Sequence, residues 1–370
     1  MHNTRSKLPD VRCKPFKVDG TPLHHIAPSR KGSLLLAGGP QALVKLELLI
    51  ESPEGDDLPG FKFDHKRYLL PQKGNAKSCR GISTTGISFL PGSDAIAASC
   101  SGNGQIFMWD ILGRLDSGRR QDCLLKQWQG HIGKVTCVEF LPRNYDSRLV
   151  SADSQGHIFL WKLDRDLWES SEDKGTRVDS SSTEDRLSTS APQRQCSPGS
   201  VHMGITADST PPSKDEIKCH HAIHDIHVQP SGNSVQMLIA QEQSKASIID
   251  LQHGALSYSS SISTPKQYFV SSNNLLTARF HPHFPCIFGA AAKDEQFVHI
   301  VDSRFGERSG VVQLLRVGSS VGCIRWRPDR PNQLAASGGM SDVVAGGGAS
   351  RELLIWDLRR PYVPLHRFNL

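Results

Sequence analysis

The densest collection of chemically capable side chains in this chain is Cys219-His220-His221, followed by His224 and His227. Thiolate and imidazole are good zinc ligands, so a metal site is the first reading to weigh. The spacing argues against it. IHDIHVQP from Ile223 aligns with VTCVEFLP from Val135 as a strand, which puts His224 and His227 on opposite faces where they do not converge. No Cys-x-x-Cys pair accompanies them, so they read as structural histidines, and no metal or other cofactor is expected. A second candidate, Gly338-Gly339 with Gly346-Gly347-Gly348, lacks the Gly-Lys-Ser/Thr ending that sets an ammonium and a hydroxyl on a phosphate, and it reads as a hairpin loop. No Gly-x-Ser-x-Gly nucleophile elbow and no acid pair suited to proton transfer is recognised. No catalytic residue is assigned, and the chain is not expected to be an enzyme.

What positions these residues is a repeat. Gly130 to Leu163 carries a Gly-His pair, an apolar-polar alternation, a turn, a small-residue strand, a second turn and a Trp. Four further segments align with it: Ile82 to Leu112, Ile223 to Leu251, Leu275 to Arg304 and Val321 to Arg359. Each has a Pro after its first strand, namely Pro91, Pro142, Pro230, Pro282 and Pro328. The closing pairs are Trp109-Asp110, Trp161-Lys162, Ile249-Asp250, Val301-Asp302 and Trp356-Asp357. Small sheets of this kind cannot bury both faces alone, so they are expected to stack radially as the blades of an all-β propeller. A degenerate first blade is expected at 16–50, with further blades at 82–112, 130–163, 217–253, 273–304 and 318–370 of a single domain spanning 1–370. The stretch from Glu51 to Arg80 reads as a long connection. Residues 164–215, rich in Ser, Thr, Asp and Arg, read as a disordered insertion, because they have too little apolar surface to offset chain entropy.

These repeats resemble the WD-repeat family. The resemblance implies a buried network in which the Gly-His histidine bonds a turn Asp and a Ser or Thr links onward to the strand Trp. His131, Ser151 and Trp161 match that pattern. Gln155 is taken to occupy the Asp position with Asp153 displaced by two, so the network is expected to be incomplete and the blade to rely more on packing. Trp109, Asp110, Trp356 and Asp357 are assigned the same blade-structural role.

The wider composition agrees with a turn-rich globular body: 37% hydrophobic residues, 22% charged, 32 Gly and 22 Pro. The basic opening MHNTRSKLPDVRCKPF is not a secretory signal, and no run of about 18 apolar residues marks a membrane span. Nine scattered Cys imply reduced thiols and a cytoplasmic or nuclear setting. The net charge of +6 is dispersed, without a basic stripe interleaved with aromatics, so nucleic acid is not the expected partner. Within the insertion, Ser197-Pro198 and Thr210-Pro211 suit proline-directed kinases and are candidate phosphorylation sites, although Ser-rich segments produce such matches freely.

Two local resemblances bear on function. VGCIRWRPDRPNQLAASGG followed by ELLIWDLRRPYVPLHRF, with the opening VDGTPLHHIAPSRKGSLLLAGG, resembles the propellers of WD-repeat subunits of the SEA or GATOR complex. That resemblance implies a non-enzymatic scaffold in amino-acid-dependent TORC signalling. It also implies protein partners such as small Sec13-like or Seh-like propellers, and a cytoplasmic location, peripheral at the lysosome or vacuole surface. A seven-bladed ring is then expected, with the last blade missing through truncation or supplied by a partner strand. Alternatively, Asp302-Ser303-Arg304 and Asp357-Leu358-Arg359 resemble the doubled Asp-x-Arg motif of substrate receptors for cullin-RING ligases, which implies that Arg304 and Arg359 face a cullin-ligase adaptor.

Overall fold

The computed structural model describes residues 25–29, 31–40, 43–51, 60–69, 83–112, 124–142, 148–164, 211–212, 214–231, 234–252, 265–307, 310–338 and 352–369. Among them, every regular element is a strand apart from one 3-10 turn at Ser303–Phe305. The 24 strands form six four-stranded antiparallel sheets, each a meander in chain order. Blade 1 holds β1 (His25–Pro28), β2 (Leu34–Gly38), β3 (Leu43–Glu51) and β4 (Gly60–Leu69). Blade 2 holds β5 (Thr84–Phe89), β6 (Ile96–Ser101), β7 (Gln105–Asp110) and β8 (Leu124–Gln129). Blade 3 holds β9 (Val135–Phe140), β10 (Arg148–Asp153), β11 (His157–Lys162) and β12 (Lys214–Lys218). Blade 4 holds β13 (Ile223–Ser231), β14 (Ser234–Gln241), β15 (Lys245–Gln252) and β16 (Lys266–Phe269). Blade 5 holds β17 (Leu275–Phe280), β18 (Ile287–Ala292), β19 (Phe297–Asp302) and β20 (Val311–Arg316). Blade 6 holds β21 (Val321–Trp326), β22 (Gln333–Gly338), β23 (Glu352–Asp357) and β24 (His366–Asn369).

The innermost strands β1, β5, β9, β13, β17 and β21 lie side by side in that order, and each pair of neighbouring sheets shares an apolar layer. Between blades 2 and 3, for example, Ile96, Met108 and Trp128 meet Phe140, Leu149 and Trp161. Between blades 5 and 6, Val298 and Ile300 meet Leu334, Leu354 and Trp356. The alternation of the sequence feeds two layers at once: in β11, Ile158 and Leu160 face blade 4 while Phe159 and Trp161 face blade 2. Each such side chain contributes about 1.5 to 3 kcal/mol on burial, so radial stacking is the main cohesive force.

The fourth strand of each blade is what the repeat alignment underestimates. β4 lies inside the expected connection from Glu51 to Arg80, and β12 begins at Lys214, within the expected insertion. Outer strands meet only one neighbouring strand, so weaker patterning suffices to hold them. Pro230 does not follow its strand but lies within β13, paired with Val235 at the tight end of the hairpin. Ser197, Thr210 and most of 164–215 lie outside the described residues, as does the glycine run after Gly338.

Candidate functional site

Blade 3 contains a continuous chain of four side chains. Trp161 Nε1 donates to Ser151 Oγ at 2.8 Å, Ser151 Oγ lies 2.7 Å from His131 Nε2, and His131 Nδ1 lies 2.9 Å from Asp153 Oδ2. One proton arrangement satisfies all of them: the hydroxyl donates to Nε2, and the imidazole carries its hydrogen on Nδ1 toward the carboxylate. Burial pushes the His131 pKa down against the pull of Asp153, consistent with that neutral ring. The network is therefore complete, and the acid is Asp153, contrary to the assignment of Gln155. The reason lies in the β10–β11 turn. Asp153 ends its strand, and its Oδ1 accepts the amides of Gln155 and His157, both at 2.9 Å, while Gln155 itself points to solvent. Gly156 closes the turn at φ +89°, and a Cβ there would lie 2.5 Å from the Cys219 carbonyl oxygen.

Blade 2 repeats the Trp–Ser half of the chain, with Trp109 Nε1 donating to Ser99 Oγ at 2.9 Å. Blade 6 does not. In the same register Trp356 pairs with Leu334, and the residue two places on is Ala336, so among the described residues the buried Trp356 Nε1 has no acceptor. Ala336→Ser is expected to supply one and raise stability by about 1 kcal/mol in urea denaturation. A loss of stability would show that the indole environment has no room for the hydroxyl.

Trp109, Trp161 and Trp356 each sit next to last in the third strand of a blade, and Asp110 and Asp357 follow as the strand's last residue. Asp110, Asp302 and Asp357 each accept the amide two residues on, at 3.0 to 3.1 Å. Arg304 and Arg359 add a side-chain clasp: Nε donates to Oδ1 and Nη2 to Oδ2 of their own Asp. The Arg359 clasp pulls the Asp357 carboxyl down to about 2. Both guanidiniums nevertheless stay mostly solvent-exposed on neighbouring blades.

The inner strands carry a polar tier, bridging neighbouring blades, that the repeat alignment did not single out. Three residues before the Pro of each repeat stand Ser88, Glu139, His227, Arg279 and Arg325. Each of the first three accepts a bond from the backbone of the next blade: Phe140 N to Ser88 Oγ at 3.3 Å, Val228 N to Glu139 Oε2 at 3.2 Å, and Phe280 N to His227 Nδ1 at 3.1 Å. A guanidinium has no acceptor, so the pattern reverses at Arg279. Its Nη2 lies 2.7 Å from Asp225 Oδ1, and its Nη1 donates to Ile226 O at 2.7 Å, both in the preceding blade. Thr277 Oγ1 completes the pair by donating to Asp225 Oδ2 at 2.6 Å. The signal for this tier was present in the sequence as a polar residue at one fixed offset from Pro.

Burial pushes the Glu139 carboxyl up to about 8, against the opposing pull of Arg279. The folded protein thus retains a proton between about pH 4.5 and 8 that the unfolded chain releases, so this contribution to stability is lost progressively over that interval and is gone once pH has risen through 8. His227 is shifted the opposite way, held well below its ordinary value by burial and by Arg279, so its contribution is lost as pH falls below about 6.5. Glu139→Gln is therefore expected to remove this group's share of the decline in stability between about pH 4.5 and 8, measured by denaturation across that range. An unchanged slope over that interval would assign the decline to another group.

The remaining sequence candidates separate in space. His227 pairs with Leu238 in regular β13 register, whereas His224 falls at the register shift between Ile223 and Asp225, and among the described residues no group of three His, Cys, Asp or Glu is arranged to hold a metal ion. Gly318-Ser319-Ser320-Val321-Gly322 does fit the Gly-x-Ser-x-Gly spelling that the sequence reading passed over. It runs from the link after β20 into β21, both strands, rather than forming a strand-to-helix elbow, and among the described residues its two buried hydroxyls have no hydrogen-bond partner. Among the described residues Cys100, Cys137, Cys219, Cys286 and Cys323 are free thiols, and no helix is long and apolar enough to cross a membrane. The chain is a six-bladed β-propeller. No protein-family model matches it. No curated protein matches it either.

Proposed function

We propose that this propeller is a non-enzymatic protein-interaction scaffold, a subunit of a SEA or GATOR type complex acting in amino-acid-dependent TORC signalling at the lysosome or vacuole surface. The observation that carries the scaffold reading is the outward face of blade 6. At the positions of Leu353 and Ile355, blades 2 to 5 have Ile106 and Met108, Ile158 and Leu160, Ala246 and Ile248, and Val298 and Ile300, all 0 to 5% exposed beneath the next blade. Leu353 and Ile355 themselves are only half-buried, with Ala335 and Phe368 beside them on the same face. A face built like an inter-blade contact is suited to receive a sheet from another subunit. The more specific assignment rests on the WRP and WDLRRP motifs, which resemble the propeller of WD repeat-containing protein 24.

The test is affinity purification of the tagged protein beside a Leu353→Asp/Ile355→Asp variant. Recovery of Sec13-like or Seh-like propellers by the native face, and their loss from the folded variant, supports the assignment. Recovery of a cullin adaptor supports the receptor reading, which is favoured by one observation: Arg304 and Arg359 are held in the same pose on adjacent blades. In that case an Arg304→Ala/Arg359→Ala protein loses the adaptor while staying folded. The scaffold reading expects the double change to leave the complex intact.

A further inference from the structure

The connections that join the first to the second strand and the third to the fourth strand of a blade emerge at one end of the sheet, so in blades 5 and 6 they form one rim. Hydrogen bonds tie this rim together. His283 Nε2 lies 2.8 Å from Pro328 O, and His281 Nε2 lies 2.6 Å from Pro331 O, which joins the first connections of the two blades. Gln313 Nε2 donates to Leu358 O at 3.1 Å, joining β20 to the last turn of blade 6. Backbone bonds from Ser303 N to Cys286 O and from Leu358 N to Asn332 O, both 2.8 Å, hold the two turns of each blade to one another.

On this rim large apolar side chains face solvent. Tyr362 is 93% exposed, Val363 68%, Phe305 62% and Phe284 49%. Val312 and Leu314 extend the patch onto β20, the edge strand of its sheet. Interleaved with them are the exposed Arg304, Arg327, Arg330, Arg359 and Arg360, whereas the exposed carboxylates are Glu307 and Asp329. Asp329 is already engaged by Arg327, at 2.8 Å. Arg304 and Arg359 are fixed by their buried Asp residues, which leaves each guanidinium pre-set in direction with donors to spare.

We propose that this rim is a docking surface for an acidic peptide segment that carries apolar side chains, laid across blades 5 and 6. The inference rests on the protein-interaction reading and is independent of which complex the protein joins. Guanidiniums outnumber exposed carboxylates, and the apolar positions between them fit an occupant that alternates acidic and apolar residues. The free edge of β20 also offers backbone groups to an extended peptide and nothing comparable to a nucleic acid. Single-stranded nucleic acid is the less suitable occupant for a second reason. The carboxylates beneath Arg304 and Arg359 weaken their field, and aliphatic Val312, Leu314 and Val363 give no stacking platform.

The test is fluorescence anisotropy with a labelled peptide alternating Glu and Leu, its Gln-Leu counterpart, and a labelled oligothymidylate. The Glu-Leu peptide is expected to bind with strong salt dependence. An Arg330→Glu/Arg360→Glu protein, altered only at exposed side chains outside the clasps, is expected to lose about tenfold or more in affinity, as is Tyr362→Ser. Ile132→Ser, on the opposite rim and 97% exposed, is expected to change nothing. Absence of binding, equal binding of the Gln-Leu peptide, tighter binding of the oligonucleotide, or indifference to the rim changes would each overturn the proposal. Complex recovery through the blade 6 face is read out separately, so the two ideas fail independently.

Discussion

Asp153→Ala is expected to cost about 3 to 5 kcal/mol of folding stability, because it leaves several buried donors without an acceptor at about 1 to 3 kcal/mol each. The carboxylate is only 1% exposed and collects four bonds: from the amides of Gln155 and His157 and from the imidazoles of His131 and His157. Alanine leaves the His131 Nδ1 hydrogen and two turn amides without acceptors, while Ser151 and Trp161 lose the anchor at the end of their chain. Asn keeps the volume and one acceptor oxygen for the amides but turns an N–H toward Nδ1. The imidazole must then change tautomer, and Ser151 is left with two donors pointing at it and no acceptor for its own hydrogen. Its cost is expected to be smaller, about 1 to 3 kcal/mol. Gln155→Ala, at the position assigned from the sequence, is expected to stay within about 0.5 kcal/mol of the native protein. Urea denaturation of the three variants ranks them, and an Asp153→Ala protein within about 1 kcal/mol of native would show that the network is incidental to blade 3.

The misplacement of that acid shows where the sequence was legible. Spacing of Trp and Pro exposed the blades because the middle strands of blades 2 to 5 are buried on both faces, which constrains nearly every side chain along them. Turn geometry leaves no such trace. Whether the acid at the strand end or the residue two places later reaches His131 depends on a local register shift between Ala152 and Asp153, which residue spacing does not record. Outer strands β4 and β12 were hidden for a related reason, since one-sided pairing tolerates charged and polar runs such as KDEIK. The inter-blade polar tier was hidden differently: Ser, Glu, His, Arg and Arg share no chemistry that a motif would reveal. Only their common offset from Pro links them, and only the observed bonds to the next blade give that offset a meaning.

Within that tier the Asp225–Arg279 pair is the point of greatest electrostatic commitment. Both side chains are largely buried, and Arg279 spans two blades by binding Asp225 and the Ile226 carbonyl. Arg279→Met, close in length and without charge, is expected to cost about 3 to 5 kcal/mol, because it strands a desolvated carboxylate with Thr277 as its main remaining donor. A buried pair is rarely the most stable filling of its space, since the desolvation of two ions offsets most of their attraction. Asp225→Val/Arg279→Met is accordingly expected to recover most of the loss and to lie within about 1 to 2 kcal/mol of the native protein. The residual deficit would come from the lost bond to Ile226 O and the unpaired Thr277 hydroxyl, each worth about 1 kcal/mol. A double-mutant cycle by urea denaturation measures the coupling directly. If the double variant is no better than Arg279→Met, the arginine holds blades 4 and 5 together through its backbone contact and packing. The carboxylate would then be a bystander between the two blades.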